Sequence, residues 1–527
     1  TTLLLILIST ATSLTAQTQI GADIDGEAAF DQSGYSISMP DSKTLAIGAR
    51  LNNGNGTLAG HVRIYAWKNT TWVQKGLDID GEAARDQSGW SVSMPDTNTV
   101  AIGAIFNDGK GSSSGHVRIY AWKDTVWVQK GKDINGVFAS RSGYSVSMSD
   151  SNTVAIGAIN SNSNGFGYSN GFRSGHVRIY SWNGTAWMQK GSDIDGEAAN
   201  DFSGTSVSMP DSNTVAIGAT GNDGNGNASG HVRIYTWKDT TWAQKGADID
   251  GEAANDLSGT SVSMPDSNTV AIGATGNDGN GNASGHVRIY TWKDTTWTQK
   301  GADIDGEAAN DQSGQSVSMP DSNTIAIGAN FNDGAGKNSG HVRIYAWKDT
   351  AWVQKGLDID GEAAADESGF SVSMPDSNTL AIGSLNNDGK NGAFSGHVRI
   401  YKFCAPDSAI DVQTACDSLV WIDSVTYTSS TNTPTFALIN AAGCDSVVTL
   451  NLTIINSSTG IDLINACDSF TWIDSVTYTS SNNTATHTLT NALGCDSVVT
   501  LDLTINNSNT GTDLITACDS FTWIDSV

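Results

Sequence analysis

The chain has 527 residues, of which 28 are basic and 55 acidic, giving a net charge of −27. So acidic a balance excludes a nucleic-acid role, because phosphate binding depends on clustered Lys and Arg. The length suffices for several cores, and after the first residues no segment approaches the ~20 apolar residues needed to span a bilayer.

The N-terminal stretch TTLLLILISTATSLTAQ has an apolar run, Leu3 to Ile8, and small residues up to Ala16 and Gln17. Residues 1–17 read as a secretory signal peptide without its initiator Met and basic flank. Then the phrase G-x-D-I-D-G-E-A-A recurs, opening at Gly21, Gly76, Gly131, Gly191, Gly246, Gly301 and Gly356, at spacings of 55 residues with one of 60. A period of this size marks a solenoid, a propeller or an array.

The copy at Gly246 holds four β-like runs, SGTSVSM, TVAIGA, GHVRIYTW and TTWTQKGADI, divided by turn clusters such as PDSN and NDGNGN. They are rich in Val, Ile, Thr, Tyr and Trp, and none shows the 3.6-residue period of an amphipathic helix. Four strands in each of seven copies predict an all-β fold, a seven-bladed β-propeller over residues 18–403. Six copies carry a Trp pair five residues apart, from Trp67 and Trp72 to Trp347 and Trp352. The seventh runs from Tyr401 into Lys402, Phe403 and Cys404 and lacks a fourth strand, whereas Gln17 to Gly21 line up with the strand that precedes every other copy. A blade made of one N-terminal and three C-terminal strands would close the ring without an exposed edge.

Each phrase places carboxylates at relative positions 1, 3, 5 and 9. The sets are Asp23, Asp25, Glu27 and Asp31; Asp78, Asp80, Glu82 and Asp86; Asp193, Asp195, Glu197 and Asp201; Asp248, Asp250, Glu252 and Asp256; Asp303, Asp305, Glu307 and Asp311; and Asp358, Asp360, Glu362 and Asp366. Oxygen ligands at alternate positions suit calcium. The other reading is turn architecture, with Asp-Gly making a tight turn and the later Asp capping the loop. The third copy loses the set, carrying Asn135 and Val137. A second acidic loop, Asn222 to Asn225, reads as a solvated turn.

Seven of the eight histidines, His61, His116, His176, His231, His286, His341 and His397, share one repeat position, each followed two residues later by Arg. In a strand, His61, Arg63 and Tyr65 face one way, so the row reads as a polar seam pairing with carboxylates of a neighbouring strand or blade. Catalysis needs different residues converging at one place, and here every ionisable motif is copied around the array. The chain reads as non-catalytic. One departure from symmetry is the loop Ile159 to Phe172 of the third copy, about six residues longer than its counterparts and carrying Phe166, Tyr168 and Phe172 among Asn, Ser and Gly. That mixture suits a recognition loop, or a drifting surface insertion.

All six cysteines follow the array, and A-C-D-S begins at Ala415, Ala466 and Ala517, a repeat of 51 residues. Small disulfide-containing all-β modules are expected at 404–457 and 458–508, with a truncated third at 509–527. The separations Cys416 to Cys444 and Cys467 to Cys495 are both 28, which favours pairing within each copy. Other connectivities, including a link between copies, stay open.

The texts S-G-x-S-V-S-M, A-I-G-A and S-G-H-V-R-I-Y resemble FG-GAP repeats, the blades of integrin α-chain propellers, in a secreted bacterial form. The C-D-S-F-T-W-I-D modules resemble repeats of large Bacteroidetes surface proteins. The resemblance implies an extracellular or cell-surface adhesion protein, with a monomeric propeller head, a modular stalk and a glycan or protein as ligand. It also implies calcium in a loop between adjacent strands. The matching hairpin here, P-D-S-N, is too short to wrap the ion.

Overall fold

The four β-like runs of each copy form the strands of one antiparallel sheet. In the first blade these are Ser33–Asp41, Thr44–Ala49, His61–Lys68 and Thr71–Gln74. The fourth strand resumes at Ile79–Asp80, paired with Val62 and His61. It breaks at Gly76, whose φ is +86° and where an added Cβ would lie 2.7 Å from the Trp122 ring of the next blade. Only glycine meets both demands.

The computed structural model describes residues 16–161, 173–404, 407–439, 445–492 and 494–523, and among them every regular element is a strand. The chain divides into two compact units, Thr1–Ala405 and Pro406–Val527. The first is the expected seven-bladed propeller. First strands of neighbouring blades face each other around the ring, and that of the seventh blade meets that of the first.

Blades adhere through shared cores. Thr44–Ala49 is buried along its whole length, and Ala46, Val62, Ile64 and Ile79 of blade one pack against Val92, Met94, Val100 and Ile102 of blade two. Each Val, Ile or Met among them gains about 1.5–3 kcal/mol on burial. That gain is realised only when the neighbouring blade is present. The two serines of S-V-S stitch the inner strands together: Ser36 Oγ donates to the Gly89 carbonyl at 2.8 Å, and Ser38 Oγ accepts from the Met94 N–H at 2.9 Å. The closing seam repeats the pattern, with Ser371 donating to Gly34 O and Met39 N–H donating to Ser373.

Closure is by a composite blade, as the split seventh copy predicts. Ala16–Gln19 pairs antiparallel with Tyr401–Cys404, in register from Ala16 with Cys404 to Gln19 with Tyr401. Ile24–Asp25 continues that strand against Val398 and His397. Residues 1–15 of the expected signal peptide lie outside the described residues.

In the second unit, Asp407–Cys416 runs parallel to Asp445–Ile455, with Thr435–Ile439 antiparallel on the other side. The next module repeats this with Ser458–Cys467, Asp496–Asn506 and Thr486–Thr490. Trp421 over Leu450 and Leu452, and Trp472 over Leu501 and Leu503, form the small cores. Residues 507–523 form no strand.

The expected pairing of Cys416 with Cys444 and Cys467 with Cys495 is corrected here. The disulfide joins Cys416 to Cys495, with the Cα atoms 5.6 Å apart, and Cys467 is a free, exposed thiol. Parallel pairing is the reason. Cys467 is in register with Asn506 at the far end of a strand that Cys495 directly precedes, so the two lie about ten residues of strand apart, roughly 33 Å. The end of the first module instead meets the start of the second, where Cys495 Sγ lies 3.5 Å from Ile455 O. Cys444 lies outside the described residues.

Two outcomes follow. Non-reducing peptide mapping is expected to recover Cys416 linked to Cys495, and a Cys467–Cys495 peptide would contradict the strand direction. Deleting residues 16–20 is expected to lower the melting temperature of the propeller by about 5 °C or more and to open Tyr401–Cys404 to proteolysis, both readable against the intact chain.

Candidate functional site

The W-x-Q-K-G run at the end of each blade grips the next blade. Lys75 Nζ donates to Thr97 O at 2.6 Å and Asn98 Oδ1 at 2.9 Å, and lies over the Trp122 and Trp127 rings. Trp127 Nε1 donates back to Lys75 O at 2.7 Å. Gln74 donates to Asp78, the first carboxylate of the next phrase. The composite blade replaces the Trp pair with Gln17 and Phe403, which meet Gly356 and Lys355.

A calcium shell built from one phrase would need its four carboxylates on one point. The structure sends them apart. Asp31 is buried, and its Oδ2 accepts from the N–H groups of Glu27 and Ala28 and from Asn52 Nδ2 at 3.2, 2.9 and 3.0 Å. This is the capping geometry of the turn reading. Its equivalents Asp86, Asp256, Asp311 and Asp366 accept from Asn107, Asn277, Asn332 and Asn387. Asp25 offers its carbonyl to Arg63 Nη2 at 2.7 Å, while its side chain faces Lys390. Asp23 turns towards His397 and Glu362, and Glu27 towards His61 and Asp78. The alternation that looks like a ligand loop is that of a two-residue strand, Ile24–Asp25, which points successive side chains to opposite faces.

Carboxylates from different phrases, however, do converge on the histidine row. His61 Nδ1 lies 3.8 Å from Glu27 Oε2 and 3.7 Å from Asp78 Oδ2, with Arg63 Nη1 3.7 Å from Glu27 Oε1. Glu27 comes from the connection out of the preceding blade, and Asp78 from the outer strand of the same blade. His116, His231, His286 and His397 stand in the same surroundings. Burial, aided by Arg63, pushes the His61 imidazole down to about 4 against the pull of Asp78 and Asp31. Burial likewise raises Glu27, with Arg63 opposing. The third blade differs: Val137 replaces the glutamate, and Arg178 turns onto Asp193 with two hydrogen bonds of 3.0 and 2.8 Å.

One position on the inner strands departs from the symmetry on one side of the ring. The x of S-G-x-S is Phe370, Tyr35, Trp90 and Tyr144 in blades seven, one, two and three, but Thr205, Thr260 and Gln315 in blades four to six. The four aromatics form a continuous arc on the inner strands, with centroids 5.0 Å apart for Phe370–Tyr35 and Tyr35–Trp90 and 5.5 Å for Trp90–Tyr144. The Arg50 guanidinium stacks 4.0 Å from the Tyr35 centroid and 4.8 Å from that of Trp90. Phe106 flanks Trp90 and carries Arg141 over its own ring. The arc was not singled out in the sequence, although comparing one position across copies would have found it. Phe166, Tyr168 and Phe172 lie outside the described residues. Their loop leaves the blade just after Ala158, which registers with Ser142, and so at the same end as Tyr144.

Asp256→Ala strips two backbone donors and Asn277 of their acceptor. It is expected to cost about 2 kcal/mol, equally in calcium and in chelator, when thermal unfolding is compared with the unsubstituted chain. A loss confined to calcium would return Asp256 to a metal shell.

The FG-GAP repeat family matches residues 73–120 and 302–345. No curated protein matches the chain. Among solved structures, the WD40 β-propeller domain of Doa1 is similar at 12% identity and a TM-score of 0.41, over 74% of this chain and 97% of that one. The β-propeller domain of the Trilobed protease from Pyrococcus furiosus follows at 11% and 0.38, over 65% and 86%. A candidate 6-phosphogluconolactonase from Bacteroides fragilis stands at 10% and 0.42, over 67% and 97%. Likenesses this loose carry nothing about activity. The matched segments share their phrase, strands and seam contacts with the other copies, so the chain carries FG-GAP repeats on a β-propeller.

Proposed function

We propose that the protein is an extracellular, non-catalytic binding protein whose propeller holds a glycan at the aromatic arc, with the disulfide-linked modules as its stalk. The observation that carries this reading is the one-sided arc of Phe370, Tyr35, Trp90 and Tyr144, in a ring whose strand text otherwise recurs closely from blade to blade. Flat aromatic faces suit the apolar face of a sugar ring. Arg50 and Arg141 add two cations to the arc in a chain of net charge −27, which favours a sugar bearing a carboxylate. FG-GAP repeats and a disulfide fit an oxidising, extracellular setting.

The test is a glycan and matrix-protein screen with the recombinant chain, followed by Trp90→Ala and Arg50→Ala. Binding to acidic glycans is expected to weaken at least about tenfold in each, on the scale of a lost stacking or charged contact. Unchanged binding in both would move the site off the arc. A chain that binds nothing on the screen would be a structural surface component.

A further inference from the structure

We propose that the blade seams are binding sites for a divalent transition-metal ion of the zinc type, each held by histidine Nδ1, the glutamate of the incoming connection and the first aspartate of the following phrase. Six of the seven seams carry the full set. In the seam of blade four these ligands are Glu197, His231 and Asp248, whose donor atoms all lie within 4.8 Å of one another.

The distances point to a shared third atom. His231 Nδ1 is 3.9 Å from Glu197 Oε2 and 3.6 Å from Asp248 Oδ2, beyond the ~3.2 Å limit of a hydrogen bond. Around a tetrahedral ion with bonds of ~2.1 Å, ligand atoms sit ~3.4 Å apart. Closing the gap takes a few tenths of an ångström. The same spacing recurs at His61, with 3.8 and 3.7 Å, and at His286, with 3.9 and 3.7 Å.

The histidines supply an observation independent of the acidic groups. His61, His116, His231 and His286 are each 1% exposed, and neither ring nitrogen of any of them has a hydrogen-bond partner, Nδ1 being the one that faces the carboxylate pair. A buried polar atom left so costs about 1–3 kcal/mol, here at Nδ1 in four of the blades. An ion at this point would satisfy Nδ1, with the ring proton on Nε2. One imidazole with two carboxylates suits zinc and its neighbours, whereas calcium takes oxygen throughout. With Arg233 beside Glu197, the cluster carries one net negative charge, so a dication is not repelled.

Access is open. Glu197 and Asp248 are 45% and 28% exposed. Asp248 also lines a hollow of about 380 Å³ with Asp250, Tyr290 and Trp297, so the aspartate of the cluster is reached from solvent. The third blade is altered. Val137 has no ligand atom, Asp195 stands with Asp193 beside His176, and Asp193 is held by Arg178.

The test uses the whole chain with its free thiols, which among the described residues are Cys467 and Cys518, alkylated, and cobalt(II) as the probe with zinc in competition. Bound metal is counted after desalting, and the cobalt absorption is read in the visible. About six ions per chain are expected, with the band of a nitrogen- and oxygen-ligated ion, displaced by zinc. The double variant Glu197→Gln with Asp248→Asn keeps side-chain shape and is expected to lose one ion. Less than one ion per chain, uptake of calcium but not cobalt, or undiminished uptake by the folded double variant would each overturn the proposal. The count on the unsubstituted chain stands even if the variant fails to fold.

Discussion

Every seam of the ring depends on one close approach. The carbonyl of Gly89 lies where a side chain on Gly48 would begin, 2.3 Å from the position of its Cβ, and the closing seam repeats this with Gly34 and Gly383 at 2.2 Å. Only a hydrogen at that site lets the inner strand of one blade come near enough for its Ser to reach the next backbone. The cores then fall between blades instead of within them, as with Ile37, Leu45 and Ile47 of blade one against Ala381, Val398 and Ile400 of blade seven. A single blade therefore has half a core on each side, and the composite seventh blade completes two cores at once.

This explains what could be read in the sequence. Strand number follows from patterns local to one copy, since alternation and turn clusters report on neighbours along the chain, and blade number and the split blade follow from laying the copies side by side. The seam partners do not. Glu27, His61 and Asp78 belong to different phrases, and their convergence appears only once the outer strand folds back so that His61 pairs with Asp80. The S-V-S serines look like the polar face of an ordinary strand, yet each makes a specific bond to the next blade. The cysteines mislead for another reason. Equal spacing says that two copies are alike but not which way their strands run, and parallel strands carry Cys467 and Cys495 to opposite ends of their module.

Repetition and function divide along the same line. The serines, glycines and Trp–Lys grips that join one blade to the next are copied because every seam sets the same demand. The x of S-G-x-S escapes it, and there the chain places Phe370, Tyr35, Trp90 and Tyr144 on one arc and Thr205, Thr260 and Gln315 on the other. Blade three departs twice over: it gives up the seam glutamate and adopts its own Arg178–Asp193 pair, next to the end from which its long loop emerges.

The bond between Cys416 and Cys495 spans 79 residues of chain. A pull applied along the second unit would enter the first module through Asp407–Cys416 and pass directly to the start of Asp496–Asn506. The load path would skip everything between. The folded segments inside that loop would be held at fixed extension however hard the ends were drawn, so the modules would behave under tension as links of a chain and not as springs that unravel.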